Sequence, residues 1–228
     1  MKIYAISGLG ANEKVFEKLV FPVGYELIVI PWLIPHSSES IQSYAFRMSE
    51  NIDVSEDFAL LGLSFGGIIA QIIRNQLTET VNMKRQIPLI LFSTISSEKE
   101  KPFWISINRF VPFYKLFPNF LLTYSPLIGL YSLVQSLFSK NLPSLKVIYT
   151  MRDSQYISWA FRQVIYSQNV FSNSFSDSRN RYHFHGTSDF VFPIWNIENP
   201  IRIPHAGHLA VYEKAEVVNK YWPLILKN

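Results

Sequence analysis

The chain alternates short runs of apolar residues with longer stretches in which apolar residues recur every three or four positions. Most of the short runs are rich in Ile, Leu and Val without strict alternation, which is typical of strands covered on both faces of a parallel sheet. The six predicted strands are Lys2–Ser7, Tyr25–Trp32, Phe58–Ser64, Gln86–Thr94, Arg181–Gly186 and the shorter Pro200–Ile203.

Helical spacing of apolar residues occupies the stretches between the strands. The predicted helices are Glu13–Leu19, Ser38–Ile52, Phe65–Leu77 and Val211–Ile225. Ser38 and Ser40 are the two candidate N-caps of the second helix, and Gly66–Gly67 opens the third. Because strands that alternate with helices are joined by right-handed crossovers, the sequence predicts an α/β protein with a mostly parallel, doubly wound sheet of about six strands.

A different pattern separates residues 96–180 from the rest of the chain. Prolines interrupt this segment about every ten residues, and the pieces between them are apolar and aromatic, which indicates short helices joined by turns. We therefore expect a core formed by residues 1–95 and 181–228, with residues 96–180 inserted as a helical cap or lid. Two other interpretations stay open: a second small core without its own function, and a segment that dips into a membrane surface.

Composition narrows the class of protein. The 228 residues are 48% hydrophobic and 17% charged, which is typical of a globular chain. The absence of cysteine excludes a disulfide framework, a thiol nucleophile and a Cys-based zinc site. The N-terminus lacks the long apolar centre of a signal peptide, and no apolar run reaches the roughly 18 residues of a membrane span. We expect a soluble, cytoplasmic protein without stable membrane insertion.

The net charge of +4 is unevenly distributed. Residues 96–180 contain nine Lys or Arg residues and four acidic residues, a balance of +5, so the remainder carries −1. A basic, aromatic surface is one way to bind nucleic acid. Because the basic residues are scattered singly and no nucleic-acid-binding motif accompanies them, we expect no nucleic-acid partner. The sequence does not specify an oligomeric state.

One stretch, FALLGLSFGGIIAQIIR from Phe58 to Arg74, places three glycines around a serine. An apolar strand ends at Ser64, and an apolar helix begins directly after it. A Gly-x-Ser-x-Gly sequence at such a sharp turn exposes the serine hydroxyl above the sheet, and the start of the helix directs backbone N–H groups toward developing negative charge. Ser64 is therefore a candidate nucleophile; the alternative is a glycine-rich turn with a passive serine.

A serine nucleophile needs a base within hydrogen-bond reach and an acid that orients the base. In this type of turn the partners follow the serine in the order acid, then histidine. Of the five histidines, one precedes the serine, and His183 and His185 alternate along a predicted strand. His205 and His208 lie after the last strand. Because His208 follows a glycine at the start of the last helix, we favour it as the base and expect His205 to support the loop.

Asp189 is the favoured acid. It lies in HFHGTSDFVFP, in a turn directly after a strand, where the carboxyl end of a parallel sheet presents functional groups. Glu98 and Glu100 also follow a strand, but they belong to a charged run that contains lysines, and Asp153 and Asp177 belong to the insertion. The alternative role for Asp189 is that of an ordinary turn residue.

These motifs together resemble those of the α/β-hydrolase-fold serine hydrolases. GLSFGG matches the nucleophile turn of that family, HGTSDFVFP its acid loop and HAGH its histidine loop. The resemblance spans nearly the whole chain, and residues 96–180 match the family's variable cap. It implies a catalytic triad of Ser64, His208 and Asp189.

The resemblance also implies an oxyanion hole. Its two donors are the backbone N–H groups of Phe65, after the nucleophile, and of Leu9, in the loop ISGLGANEKVF. Many family members have His-Gly where this chain has Ser7-Gly8, so the hydrogen bonds that brace the loop are expected to differ. The chain also begins at KIYAIS, without the family's first antiparallel strands, which predicts a trimmed sheet of about six strands.

The activity implied by the resemblance is hydrolysis of a carboxylic ester-type bond in a small, partly apolar substrate, through an acyl-enzyme and without a metal or organic cofactor. A thioesterase and a C–C bond hydrolase or lyase are alternatives that would use the same triad. A small-molecule-binding protein of this fold with little turnover is an alternative from another class. The aromatic insertion favours an apolar acyl or alcohol group, and its basic excess permits an anionic one.

Overall fold

The computed structural model describes residues 1–80, 86–110, 148–166 and 180–226. Within these ranges the six predicted strands form one sheet in which every pair is parallel. The strands are β1 (Lys2–Ile6), β2 (Glu26–Val29), β3 (Phe58–Leu63), β4 (Leu89–Phe92), β5 (Arg181–Gly186) and β6 (Ile201–Ile203). The prediction of a trimmed, six-stranded parallel sheet is confirmed.

The order of the strands determines where a site can form. Neighbouring strands run β2-β1-β3-β4-β5-β6, so the chain moves outward from β1 in one direction to β2 and in the other direction to β3. In an open α/β sheet, a crevice forms at such a reversal, outside the carboxyl ends of the strands. Here we expect such a crevice between the loop that follows β1 and the turn that follows β3.

Two hydrophobic cores lie on opposite faces of the sheet. On β3, Leu60 points into the core that contains Ile68, whereas its neighbour Leu61 points into the core that contains Trp222. All four side chains are fully buried. Because both faces are covered, the strands need apolar residues at successive positions, which explains their continuous apolar runs.

The helices differ in extent from their predicted ranges. Helices in the described residues are α1 (Ile41–Ser49), α2 (Phe65–Thr80), α3 (Phe103–Ser106), α4 (Ser154–Tyr166), α5 (Ala210–Glu213), α6 (Ala215–Val218) and α7 (Trp222–Ile225). Single 3-10 turns cover Glu13–Phe16, Glu98–Glu100, Ile107–Arg109, Ile194–Asn196 and Asn219–Tyr221. Among these helices, none is long and apolar enough to cross a membrane.

Two predicted helices are wrong in their extent. The segment 13–19 forms only one 3-10 turn, and the segment 211–225 is divided into short pieces. Lys214 interrupts the second segment, because its φ of −133° and ψ of 39° lie outside the helical region. Pro223 then stands in the first turn of α7, where its missing N–H is tolerated.

Of the insertion, which joins β4 to β5, the structure describes residues 96–110, 148–166 and 180. The first of these stretches contains α3, and the second contains α4. Most of residues 96–180, including four of the five prolines on which the helical-cap prediction depends, lies outside the described residues. The boundaries of the core and cap therefore stay predictions.

Ser40 supplies the N-cap of α1, and its Oγ accepts a hydrogen bond from the N–H of Ser43 at 3.1 Å. We expect Ser40→Ala to lower the free energy of unfolding by about 1 kcal/mol, as is typical for loss of an N-cap. The matched control is Ser38→Ala, which alters the other predicted cap candidate. Urea unfolding of both variants checks this, and an equal loss in the two would contradict the assignment.

Candidate active site

Ser64 occupies the turn between β3 and α2 with a φ of 54°, in the left-handed region that non-glycine residues rarely adopt. Its N–H donates to the carbonyl oxygen of Phe92 on β4 at 2.9 Å. Its carbonyl oxygen accepts hydrogen bonds from the N–H of Gly67 at 2.9 Å and from Oγ1 of Thr94 at 2.6 Å. The strained backbone is therefore fixed on both sides by β4 and the loop after it.

Close backbone contacts explain the glycines around Ser64. A Cβ on Gly62 would lie 2.5 Å from Cα of Gly67, and a Cβ on Gly66 would overlap the carbonyl oxygens of Ile6 and Ser7 at the end of β1. Contacts this close leave no space for a side chain. The glycines thus allow α2 to begin directly against β3 and β1.

The three residues predicted to act together are in hydrogen-bond contact. Nε2 of His208 lies 2.8 Å from Oγ of Ser64, and Nδ1 of His208 lies 2.9 Å from Oδ2 of Asp189. Because an ionised carboxylate only accepts, Nδ1 carries the proton in this contact, and Nε2 is placed to accept from the serine hydroxyl. His205 is exposed, and its backbone N–H bonds to Oγ1 of Thr187 at 2.8 Å, so it lies outside this chain of contacts.

Asp189 is 2% exposed and has donors at both carboxylate oxygens. Oδ1 accepts from the N–H groups of Val191 at 2.8 Å and Phe192 at 3.0 Å, while Oδ2 faces His208. Burial alone would raise the pKa of Asp189, but His208 and His185 beside it hold the pKa well below its usual range. The carboxylate is therefore ionised throughout the neutral pH range.

His185 is a neighbour of the site that sequence reasoning missed. Its Nε2 lies 2.7 Å from the carbonyl oxygen of Phe192 and 3.2 Å from Oδ2 of Asp189. Both neighbours are acceptors, so Nε2 carries a proton. One feature of the sequence could have indicated this contact: His185 lies four residues before Asp189, near the end of β5. A turn directly after β5 brings Asp189 back toward that strand.

His183 lies next to His185 on the same face of β5, as the alternation predicted, and their nearest ring nitrogens are 3.5 Å apart. Burial, together with the neighbouring His185, lowers the pKa of His183 to about 3. His183 is thus neutral in the folded protein at neutral and mildly acidic pH.

Two backbone amides, those of Leu9 and Phe65, are the predicted oxyanion donors. Among the described residues, no acceptor pairs with the N–H of Leu9 or of Phe65. Phe65 begins α2, and Gly8 lies against Ser64, because a Cβ on Gly8 would be 3.6 Å from Cβ of Ser64. The residues that carry the two predicted donors therefore adjoin Ser64 or its neighbour Gly8, and their role in an oxyanion hole stays a prediction.

The loop after β1, which begins with Ser7 and Gly8, is braced from both sides. Oγ of Ser7 donates to the carbonyl oxygen of Ala11 at 2.6 Å. From the other side, two amides of the returning arm (residues 148–151 of the insertion) donate to the carbonyl oxygen of Gly10 at 3.1 Å each. An isolated antiparallel bridge joins Ala11 to Tyr149. The insertion thus forms part of the support for this loop.

Metal-ligating side chains do not cluster in the part of the chain that the structure describes: no three His, Asp or Glu residues there are placed to hold a metal ion. The titratable groups near Ser64 are instead joined to one another by hydrogen bonds.

Solved structures of low sequence identity share this architecture over almost the entire chain. A probable hydrolytic enzyme from Pseudomonas aeruginosa PAO1 is 15% identical and superposes with a TM-score of 0.62, over 100% of this chain and 85% of that one. A thermophilic esterase from Thermogutta terrifontis is 16% identical with a TM-score of 0.57, over 99% and 89%. A meta-cleavage product hydrolase from Pseudomonas fluorescens IP01 is 14% identical with a TM-score of 0.54, over 99% and 90%.

These similarities establish the fold. Comparison with protein-family models and with curated protein sequences finds no match. The strand order, the turn at Ser64 and the superpositions agree on one architecture, and the chain has the α/β-hydrolase fold. The chemistry at the crevice has to be argued from the residues themselves.

Gly66→Ala tests the close approach of α2 to β1. We expect it to lower the free energy of unfolding by about 3 kcal/mol, at the upper end of the usual cost of overpacking, because the overlap is with backbone atoms. Gly8→Ala is the matched control, since a Cβ there would meet its neighbours at 3.6 Å or more. Similar denaturation midpoints for the two variants would contradict this account.

The low pKa of His183 predicts that the free energy of unfolding decreases as the pH falls. Its folded pKa of about 3 lies below the ordinary histidine value near 6.5, so the unfolded chain takes up the proton first as the pH falls. Stability is therefore fully present above about pH 6.5 and is lost progressively toward pH 3, by about 2 kcal/mol at pH 5.

His183→Gln removes this titration, and we expect its stability to fall less between pH 7 and pH 5 than that of the wild type. His36→Gln, on an exposed loop residue, is the matched control and should keep the wild-type pH dependence. Thermal unfolding at both pH values gives the comparison. An unchanged pH dependence in His183→Gln would show that His183 is not the group responsible.

Proposed function

We propose that the protein is a serine hydrolase that cleaves a carboxylic ester-type bond through an acyl-enzyme. The observation that carries the proposal is the continuous chain of hydrogen bonds from Ser64 through His208 to the buried Asp189. A passive serine in a glycine-rich turn would not require a histidine at 2.8 Å whose far nitrogen is held by a buried carboxylate. The fold of the neighbouring hydrolases supports the same class of activity.

In the first half-reaction, Oγ of Ser64 attacks the carbonyl carbon of the substrate while Nε2 of His208 takes the hydroxyl proton. The resulting imidazolium is stabilised by the ionised carboxylate of Asp189, which itself stays unprotonated. When the tetrahedral intermediate collapses, the bond to the leaving alcohol breaks and His208 returns the proton to the alcohol oxygen. The acyl group is then bonded to Ser64.

In the second half-reaction, His208 takes a proton from water, and the hydroxide equivalent attacks the acyl carbon. Collapse of the second tetrahedral intermediate releases the carboxylic acid and returns the proton to Ser64. The same side chains therefore serve both steps, and the proposed reaction uses only groups of this chain, the substrate and water.

The N–H groups of Leu9 and Phe65 are assigned to the oxyanion hole in this proposal. They approach the serine from two different elements, the loop after β1 and the start of α2, so they can bind one oxygen from two directions. Each preorganised donor of this kind stabilises the transition state by about 3 kcal/mol. The partial positive charge at the start of α2 acts in the same direction.

Residues 96–180 are proposed to form a cap over this crevice. The insertion leaves the core after β4, and its arm at residues 148–151 bonds to the loop after β1. The start of the insertion and this arm therefore lie at the edge of the sheet that also presents Ser64, whereas residue 180 leads into β5 at the opposite edge. The aromatic composition of the insertion favours an apolar acyl or alcohol group in the substrate.

The experiment that tests the proposal is labelling with a fluorophosphonate probe, followed by hydrolysis of p-nitrophenyl esters of increasing acyl length. We expect wild-type protein to label and Ser64→Ala to remain unlabelled at the same denaturation midpoint. His208→Asn should lower kcat by about 10³-fold or more, because the base is lost. His205→Asn is the matched control and should retain wild-type kcat.

Other outcomes would change the assignment in specific ways. Labelling without turnover of any oxygen ester, but with turnover of acyl thioesters or of a vinylogous diketone, would favour the thioesterase or the C–C hydrolase alternative with the same triad. An absence of both labelling and turnover in correctly folded wild-type protein would favour a binding protein of this fold.

A further inference from the structure

Trp32 lies just beyond β2 and contacts the loop after β1. Its indole Nε1 donates a hydrogen bond of 3.1 Å to the carbonyl oxygen of Gly8. The same oxygen accepts from the N–H of Ala11 at 2.9 Å. Because Ala11 belongs to the loop itself, its bond moves with the loop, whereas the bond from Trp32 ties the peptide to a different element.

The carbonyl group of Gly8 and the N–H of Leu9 belong to one peptide unit. A trans peptide is planar, and its C=O and N–H point in opposite directions. A donor that fixes the direction of the Gly8 carbonyl therefore also fixes the direction of the Leu9 N–H. The hydrogen bond from Trp32 is therefore linked, through this peptide, to the direction of the Leu9 N–H.

The indole ring is itself held by aromatic neighbours. It stacks on the ring of Phe65, with centroids 5.6 Å apart and planes at 20°, and it lies 5.3 Å from the ring of Tyr156 and 6.5 Å from that of Tyr44. Phe65 provides the second proposed oxyanion donor. One side chain thus contacts the residue that carries one donor and orients the peptide that carries the other.

We propose that Trp32 is a positioning residue for the oxyanion hole, which aims the N–H of Leu9 at the oxyanion and sets its distance from the N–H of Phe65. This inference rests on the proposed serine hydrolase function. Its effect should be confined to the transition state, because the negative charge on the substrate oxygen develops only there. Loss of the indole donor should therefore lower kcat and leave KM nearly unchanged.

Trp32→Phe keeps an aromatic ring but removes the donor. We expect kcat for a p-nitrophenyl ester, and the rate of fluorophosphonate labelling, to fall at least about tenfold, with KM changed less than about twofold. Trp159→Phe is the matched control, because it removes an indole hydrogen bond of 2.8 Å in the same aromatic cluster, but one that goes to the carbonyl oxygen of Glu39 and not to the Gly8 peptide. It should retain wild-type kcat.

A second variant separates the hydrogen bond from the packing. Site-specific incorporation of 3-benzothienyl-alanine at Trp32 preserves the bicyclic shape and puts sulfur in place of the indole N–H. It should reproduce the kcat loss of Trp32→Phe at a wild-type denaturation midpoint. Wild-type kcat in this variant, or a raised KM with unchanged kcat, would overturn the inference and leave Trp32 a packing or substrate-contact residue. Inactive wild-type protein would instead refute the proposed function.

Discussion

The backbone conformation of Ser64 is the constraint on which the geometry of the site depends. A left-handed φ is unfavourable for a residue with a side chain, so the surrounding structure has to hold it. Phe92 on β4 and the hydroxyl of Thr94 bond to the two sides of the residue, and Gly66 lets the next helix begin against β1. The hydroxyl then reaches His208, which is 144 positions away in the sequence.

The sequence predicts those features for which a local pattern of residues matches the place of those residues in the folded protein. The six strands could be located because burial on both faces requires continuous apolar residues, and Arg181–Gly186 has the predicted bounds. The contact of Ser64, Asp189 and His208 could be anticipated because parallel strands bring their carboxyl ends to one edge. The ends of helices were less predictable. The backbone angles of one residue, Lys214, end a helix that the apolar spacing of the sequence would continue.

The contacts that sequence reasoning did not anticipate join distant segments or depend on the direction of one side chain. Nothing local to Trp32 indicates that its indole meets the carbonyl of Gly8, because that contact requires β1 and β2 to be paired first. His185 turns toward Asp189 only after the loop between them folds back. The hydrogen bonds that brace the loop after β1 could not be predicted for the same reason, since some of them come from residues 148–151 of the insertion.

The support from the returning arm has a consequence for how the protein folds. The hydroxyl of Tyr156, in α4, lies 3.4 Å from the N–H of Gly10 and is separated from it by 146 positions, and the arm that bonds to the Gly10 carbonyl is nearly as far away. Contacts of such long sequence separation carry a large loop-closure entropy and form slowly. The loop after β1 therefore has its full set of hydrogen bonds only when residues 148–156 of the insertion are packed against the core.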